Sequence, residues 1–518
     1  MSLLMPRMHR LNGRNGVSHP APATHNLRYI PVKRWEAAPT WKSSDATSIA
    51  LSTLITAAVL LPFVVLSPAC RHWFVVPVLL CGVIIGMDFV DWMRGRMNLL
   101  DPVGILGILG FHCFFLTPLL HVSMNEWMAW VRPPPDWREW LGKMGFVNVA
   151  GLLVYAVVVR FGGTRPRPQM PLWQIRHSGL VLLAALIVTA GLQAYVYAHF
   201  GGISGYIDLF EREQHTGKSS FTGWGWLFSI SEAFPRLALM ALTILLWRRK
   251  KLSWAVLLLI FVVYFGLLIL FGGLRGLRSN IVWSMFWGVG IIHFCLRPLS
   301  RKMIVIGLAG MLVFMITYAA YKHGGTKDLK KAIDGQKTEW SSLTKVALWD
   351  LSRADVQAYL LYRMSRVGTD YQPSHGRTYV GSVSLLIPEA VWPDRPPTKI
   401  QEGTQILFGQ DWVLIGKASN LYGLGGEAML NFGPAAVPLA FGIFALCIRA
   451  VRQFVYRLRR HDGRIFMLPV FLSLCILGLV CDSDNVLFFL FQYGAAVVLV
   501  LLFTCRPVRT PHRFAGLS

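Results

Sequence analysis

The chain has 518 residues, of which 54% are hydrophobic and 15% charged, a balance that excludes an ordinary soluble domain. Its formal charge of +25 suggests nucleic acid at first sight. The Lys and Arg residues gather between apolar runs, however, which is how membrane topology is written, so anionic membrane lipids are expected as partners and nucleic acid is not.

In chain order, residues 1–47 are polar and basic, with no apolar core near Met1 to act as a cleavable signal, so the first apolar run reads as a retained anchor. Runs long enough to cross a bilayer lie near 49–68, 73–91, 103–122, 145–161, 178–198, 224–247, 253–272, 279–296, 303–320, 434–449, 465–481 and 486–505. They predict an all-α polytopic integral membrane protein with about twelve transmembrane helices. Its divisions are a basic N-terminal segment (1–47), helices one to nine (48–320), a long loop (321–417), helices ten to twelve (418–505) and a tail (506–518).

With the N-terminus inside, the cytoplasmic segments collect Arg248, Arg249, Lys250, Lys251, Arg449, Arg452, Arg457, Arg459, Arg460 and Arg464. They hold few acids: Glu36, Asp45, Asp88, Asp91, Asp101 and Asp462. The positive-inside rule then puts both termini in the cytoplasm and the long loop outside. The cysteines are scattered, mostly within spans (Cys81, Cys113, Cys295, Cys447, Cys475), and no CxxC pair occurs, so neither a disulfide framework nor a structural zinc site is expected.

Charged residues inside or beside apolar runs are the functional candidates. Glu232 and Arg236, at i and i+4 in the sixth run, are expected to satisfy each other, the alternative being a place in the substrate site. Arg275 and Arg278, three apart at the outer lip of the eighth run, share one helical face with Ser279 and Asn280 close by. Cations at a helix start oppose its dipole, and an anion would reverse that; a planar fork and free backbone N–H groups suit a phosphate or pyrophosphate. The plain alternative is that both side chains snorkel to lipid headgroups.

In the long loop, 339–366 has apolar residues at helical spacing and reads as an amphipathic helix on the outer surface or on the bundle. Residues 367–400 are rich in Gly and Pro and read as an ordered, extended arm. Part of it, 375–399, crowds together His375, Arg377, Asp394, Arg395 and Lys399, either a cationic site or a solvated loop. Beyond it, Glu427 and Asn431 are four apart on a short helix that Gly433-Pro434 should end. A carboxylate at the edge of an apolar run needs a partner or a proton, which makes Glu427 a candidate general base, or else one half of a structural pair.

There is no GxxxxGK[ST], HExxH, GxSxG or DxD-like acid pair in the outer loop, which disfavours nucleotide and metal chemistry; no cofactor is expected.

Three stretches resemble the bacterial oligosaccharide repeat-unit polymerases, the O-antigen polymerase (Wzy-type) group. Gly276-Leu277-Arg278-Ser279 matches a G-x-R-S motif at the outer start of a span. Gly376-Arg377-Thr378-Tyr379, Ile387-Pro388 and Trp392-Pro393-Asp394-Arg395-Pro396 match G-x-T-Y, I-P and W-P-x-(K/R)-P in the long loop, and Gly426-Glu427 with Asn431-Phe432-Gly433 matches G-E-x-x-x-N-F-G. The resemblance covers roughly 270–445; Arg395 stands where lysine is common, and His375 is not a family position.

The resemblance implies a GT-C-like glycosyltransferase of the bacterial inner membrane, acting on undecaprenyl-pyrophosphate-linked glycans at the periplasmic face without metal. Arg275 and Arg278 would neutralise the leaving pyrophosphate, Arg377, Arg395 and Lys399 would close over it, and Glu427 or His375 would take the proton from the attacking sugar hydroxyl, with Asn431 at the same site. A chain-length regulator and a flippase are the protein partners it implies. An O-antigen ligase and a lipid-linked oligosaccharide flippase or other transporter are the competing readings.

Overall fold

The computed structural model describes residues 45–128, 131–160, 169–216, 224–247, 252–275, 278–334, 348, 353–366, 372–387, 391–408, 420–459 and 461–508. The N-terminal segment up to residue 44, the Gly276-Leu277 half of the G-x-R-S motif, Pro388, most of 339–352 and the last ten residues lie outside the described residues.

Among the described residues, twelve helices are long and apolar enough to cross a membrane. They are α1 (Ala46–Leu66), α2 (Val75–Met93), α3 (Pro102–Met124), α4 (Trp137–Arg160), α5 (Ser178–His199), α7 (Gly225–Leu246), α8 (Trp254–Phe271), α9 (Arg278–Leu296), the first part of α10 (Arg301–Tyr321), α15 (Ala436–Arg457), α16 (Gly463–Val480) and α17 (Ser483–Thr504). Between them lie α6 (Gly202–Thr216), the continuation of α10 to Ile333, α11 (Ala354–Ser365), α12 (Arg377–Ser384), α13 (Lys399–Phe408) and α14 (Gly423–Phe432). A two-stranded antiparallel ribbon, β1 (Trp173–Ile175) on β2 (Cys505–Pro507), closes the end of α17.

The spans pack by small and polar residues, as helices must where lipid is as apolar as leucine. The buried residues of α1 are Ser48, Ser52 and Thr56, one every four positions, while its apolar residues face outward. Ser48 bonds Asp91 at 2.5 Å and Ser52 bonds the Val83 carbonyl at 2.8 Å. On α3, Gly104, Gly107 and Gly110 let the backbone of α2 approach; a Cβ at Gly107 would stand 2.5 Å from the Phe89 nitrogen. Gly107→Ala is therefore expected to force α2 and α3 apart and cost about 1–3 kcal/mol, read as a lower unfolding midpoint in detergent; an unchanged midpoint would contradict this packing.

Among the described residues two large apolar cores result, with three smaller clusters beside them. One joins α2, α3, α4, α11, α14 and α15 around Phe74, Phe115, Leu152 and Phe441; the other joins α5, α7, α8, α9, α16 and α17 around Met240, Trp287 and Phe466. Helix α16 feeds both, through Cys475 and Leu479 on one side and Val470 and Leu472 on the other.

Alternation of the spans sorts the buried charges by end. At one end Asp101 caps α3 and bonds Arg452 at 2.9 Å and Tyr456 at 2.5 Å, and Arg160 meets Asp88 at 3.2 Å. This end carries the basic connections, and its ion pairs tie α2, α3, α4 and α15 together. Glu427, Lys399, Arg275 and Arg278 belong to the other end, beside the long loop.

That loop is more folded than its composition suggests. Helix α11 packs on the bundle, against α4 and α14, with Val356, Ala358, Leu360 and Leu361 buried, and does not lie on the outer surface. The stretch read as an extended arm contains α12, because Thr378, Ser382 and Ser384 find buried partners and Gly381 sits on the Pro396 and Pro397 carbonyls. The turn into α12 takes left-handed backbone at His375 (φ 46°) and Gly376 (φ 85°).

Candidate functional site

Glu427 lies in α14, a helix that starts on glycines and ends at Gly433 (φ 82°), so it is a short inserted piece before α15. The residue is 3% exposed. Its Oε2 accepts from the Ser483 N–H at 2.6 Å; its Oε1 accepts from the Ser483 hydroxyl at 2.6 Å and from the Thr378 hydroxyl at 3.3 Å. Burial, reinforced by the negative charge of Asp482, pushes its pKa up to about 8, against the opposing pull of the Ser483 donors.

Asn431, one turn on and fully buried, binds the loop to this helix. Its Nδ2 donates to Thr378 Oγ1 at 2.7 Å and to the Glu427 carbonyl at 2.9 Å, and its Oδ1 accepts from the Gly376 N–H at 3.0 Å. The His375 N–H donates to the Asn431 carbonyl at 2.9 Å, while the His375 residue is exposed. Asn431 thus anchors the turn that starts α12.

Lys399, the first residue of α13, is fully buried against Asp482, with Nζ 2.5 Å from Oδ2. The ammonium also donates to the Asn420 carbonyl at 2.7 Å, and Asp482 Oδ1 accepts from the Tyr422 and Gly423 N–H groups at 2.9 and 2.8 Å. One carboxylate in the break between α16 and α17 therefore fastens both α13 and the start of α14. The expected role of Lys399 as a cation closing over a ligand is not what this geometry offers: its charge is already matched and sealed from solvent. Arg377 is exposed and pairs with Glu402 at 3.0 Å; Arg395 is half-buried on the segment that packs against α12.

The two lip arginines sit elsewhere on the same end. Arg275 pairs with Glu232 and stacks over the Phe228 ring at 4.2 Å. The other Glu232 oxygen accepts from Asn280 and Gln492, each at 2.7 Å. This corrects the expected Glu232–Arg236 pair. Helix α7 is interrupted between Ser231 and Phe234, so the two residues do not hold i and i+4 register, and Arg236 instead donates to the Ser284 hydroxyl at 2.9 Å and the Gln492 carbonyl at 2.5 Å. Arg278 begins α9, half-buried.

Helix α17 connects the two groups: its first residue, Ser483, holds Glu427, and nine and ten residues on Gln492 and Tyr493 hold Glu232 and Asn280. Nine residues are about 14 Å of helix axis. The structure thus brings Glu427 and Asn431 together, places Lys399 behind them, and leaves Arg275 and Arg278 as a separate cationic group.

Sequence reasoning missed Ser382, Asp482, Ser483 and Asp484, and named Thr378 only within the G-x-T-Y match without a role. Its available signal was the run Cys481-Asp482-Ser483-Asp484-Asn485, two acids in a link of a few residues between two apolar spans, where ions need a reason. Comparison of the chain with models of known families, with curated proteins and with solved structures finds no match.

Proposed function

We propose that this protein is a GT-C-like polymerase of lipid-linked oligosaccharide repeat units in the bacterial inner membrane, working at the periplasmic end where the long loop packs and leaving both termini in the cytoplasm. The observation that carries the reading is the buried Glu427, held by two hydroxyls and a backbone N–H at that end, with a pKa near the pH at which a general base is most useful. The substrate class comes from the resemblance of the 270–445 stretch to the Wzy-type group.

In the reaction, the terminal sugar hydroxyl of the acceptor loses its proton to ionised Glu427 and attacks the anomeric carbon of the donor. A new glycosidic bond forms, and the bond to undecaprenyl pyrophosphate breaks with its electron pair going to the pyrophosphate. Arg377 and Arg395, on the segments around Glu427, are the cations suited to that leaving charge. Arg278, at the start of α9 on the same end, suits the pyrophosphate of the acceptor, whose own phosphate and reacting hydroxyl are separated by the repeat unit, while Arg275, already matched by Glu232, holds the residues beside it in place. Lys399 serves as a positioning residue.

The test is the purified full chain in vesicles with one defined undecaprenyl-pyrophosphate-linked repeat. Products longer than one repeat are expected, and Arg278→Ala should raise the acceptor concentration needed by at least ten-fold while leaving the protein in the membrane. Movement of the repeat across the vesicle without lengthening would replace this reading with a flippase, and transfer only to a lipid A core would replace it with a ligase.

A further inference from the structure

The hydroxyls beside Glu427 form a row that runs from α17 into α12. Ser483 Oγ lies 2.6 Å from Glu427 Oε1, and Ser382 Oγ lies 2.7 Å from Ser483 Oγ. Ser382 is fully buried and also lies 2.8 Å from the Thr378 carbonyl, to which its one proton can turn. A hydroxyl gives one proton and can accept others, so the row has two consistent orders. With Glu427 ionised, Ser382 donates to Ser483 and Ser483 donates to the carboxylate. With Glu427 protonated, the carboxyl donates to Ser483, Ser483 to Ser382 and Ser382 to the carbonyl. In both orders the Ser483 N–H stays on Oε2, and no buried proton of the row lacks an acceptor.

We propose that Ser483, with Ser382 behind it, is a positioning residue that gives Glu427 a hydrogen-bond partner in both of its protonation states. A buried carboxyl can then take a proton from a bound hydroxyl and release it later without being left unsatisfied in either state. The consequence for sugar transfer rests on the polymerase reading; the proton equilibrium itself does not.

The charged and titratable groups facing Glu427 are Asp482 and Asp484 from the break and start of α17, Tyr379 from α12, and Lys399 from α13 through Asp482. Lys399 and Asp482 offset one another. None of these groups supplies the switchable donor and acceptor that the serine hydroxyls do.

The experiment is an infrared titration of the purified full chain in lipid nanodiscs, following the protonated-carboxyl band that Glu427→Gln removes. Ser483→Ala takes a charge-assisted donor from the ionised form, so Glu427 should hold its proton about ten-fold more tightly, and Ser483→Thr should restore the wild-type titration. Ser382→Ala strands the buried Ser483 proton in the protonated row but leaves the Ser483-to-carboxylate bond of the ionised row in place, so Glu427 should hold its proton about three-fold less tightly. The opposite signs are the signature. Shifts of one sign in both alanine variants, or none in either, overturn the proposal. If Ser483→Ala fails to fold, Ser382→Ala decides alone: a titration unchanged from wild type overturns the proposal. A polymerisation assay on the same samples separates the two ideas, since the predicted shifts in a protein that lengthens no glycan would overturn the polymerase reading and leave the serine row standing.

Discussion

Glu427→Gln is expected to abolish polymer formation, lowering the rate by a factor of about 10² to 10⁴, the usual worth of a general base. The amide keeps an oxygen for the Ser483 N–H, so the fold should survive and the defect should be chemical. In the proposed mechanism the active base is the ionised form, and burial with the Asp482 charge pushes the Glu427 pKa up to about 8. The rate should therefore rise with pH, about ten-fold per pH unit below this value, and level off above it.

Stability runs the other way. A carboxyl whose pKa is raised on folding binds its proton more tightly in the native state, so the native advantage is complete below the unfolded value of about 4.3 and is lost as pH rises through about 8. Glu427→Gln should remove that slope. The paired measurements are a pH–rate profile and unfolding midpoints across this window. Polymer from the Gln variant, or a wild-type rate that does not change with pH, would remove Glu427 from the chemistry.

Lys399→Met is expected to destabilise the protein by about 3–5 kcal/mol, because it leaves Asp482 buried with its charge uncompensated. Asp482→Asn should do the same by stranding the ammonium, although its amide oxygen still accepts from Tyr422 and Gly423. The double variant Lys399→Met/Asp482→Asn removes both charges and retains the backbone bonds, so most of the loss should return. A double-mutant cycle of denaturation midpoints measures this coupling. Simple additivity of the two single losses would show that the pair does not act as a unit. Because the pair ties α13 and α14 to the α16–α17 break, loss of activity is expected in both single variants and partial recovery in the double.

The parts legible in the sequence are those with a local cause. All twelve apolar runs became helices, most of them within a few residues of the expected ends, since a crossing segment must satisfy its own backbone and so declares itself by length and apolarity. Helix α4 starts at Trp137, eight residues before its apolar run, because Arg138, Glu139 and Lys143 interrupt the apolar sequence without ending the helix. The pairing of Glu427 with Asn431 on one helix face was legible for the same reason, a fixed four-residue repeat. The Gly-Pro content of 367–400 misled: it marks where helices end, not that none lies between, and α12 fits between Gly376 and Leu385.

The sequence by itself determined a many-span helical membrane protein, the places of its apolar spans and an acid at the mouth of one of them, because these follow from hydrophobicity and helical periodicity over short distances. Only the tertiary structure decided which charge meets which. Glu232 took Arg275 rather than Arg236, Lys399 took Asp482, and Glu427 took hydroxyls from two distant segments. Ion pairs and hydrogen bonds depend on distances of a few ångströms between atoms that the chain separates by tens of residues, and that proximity is created by packing, not by spacing along the sequence.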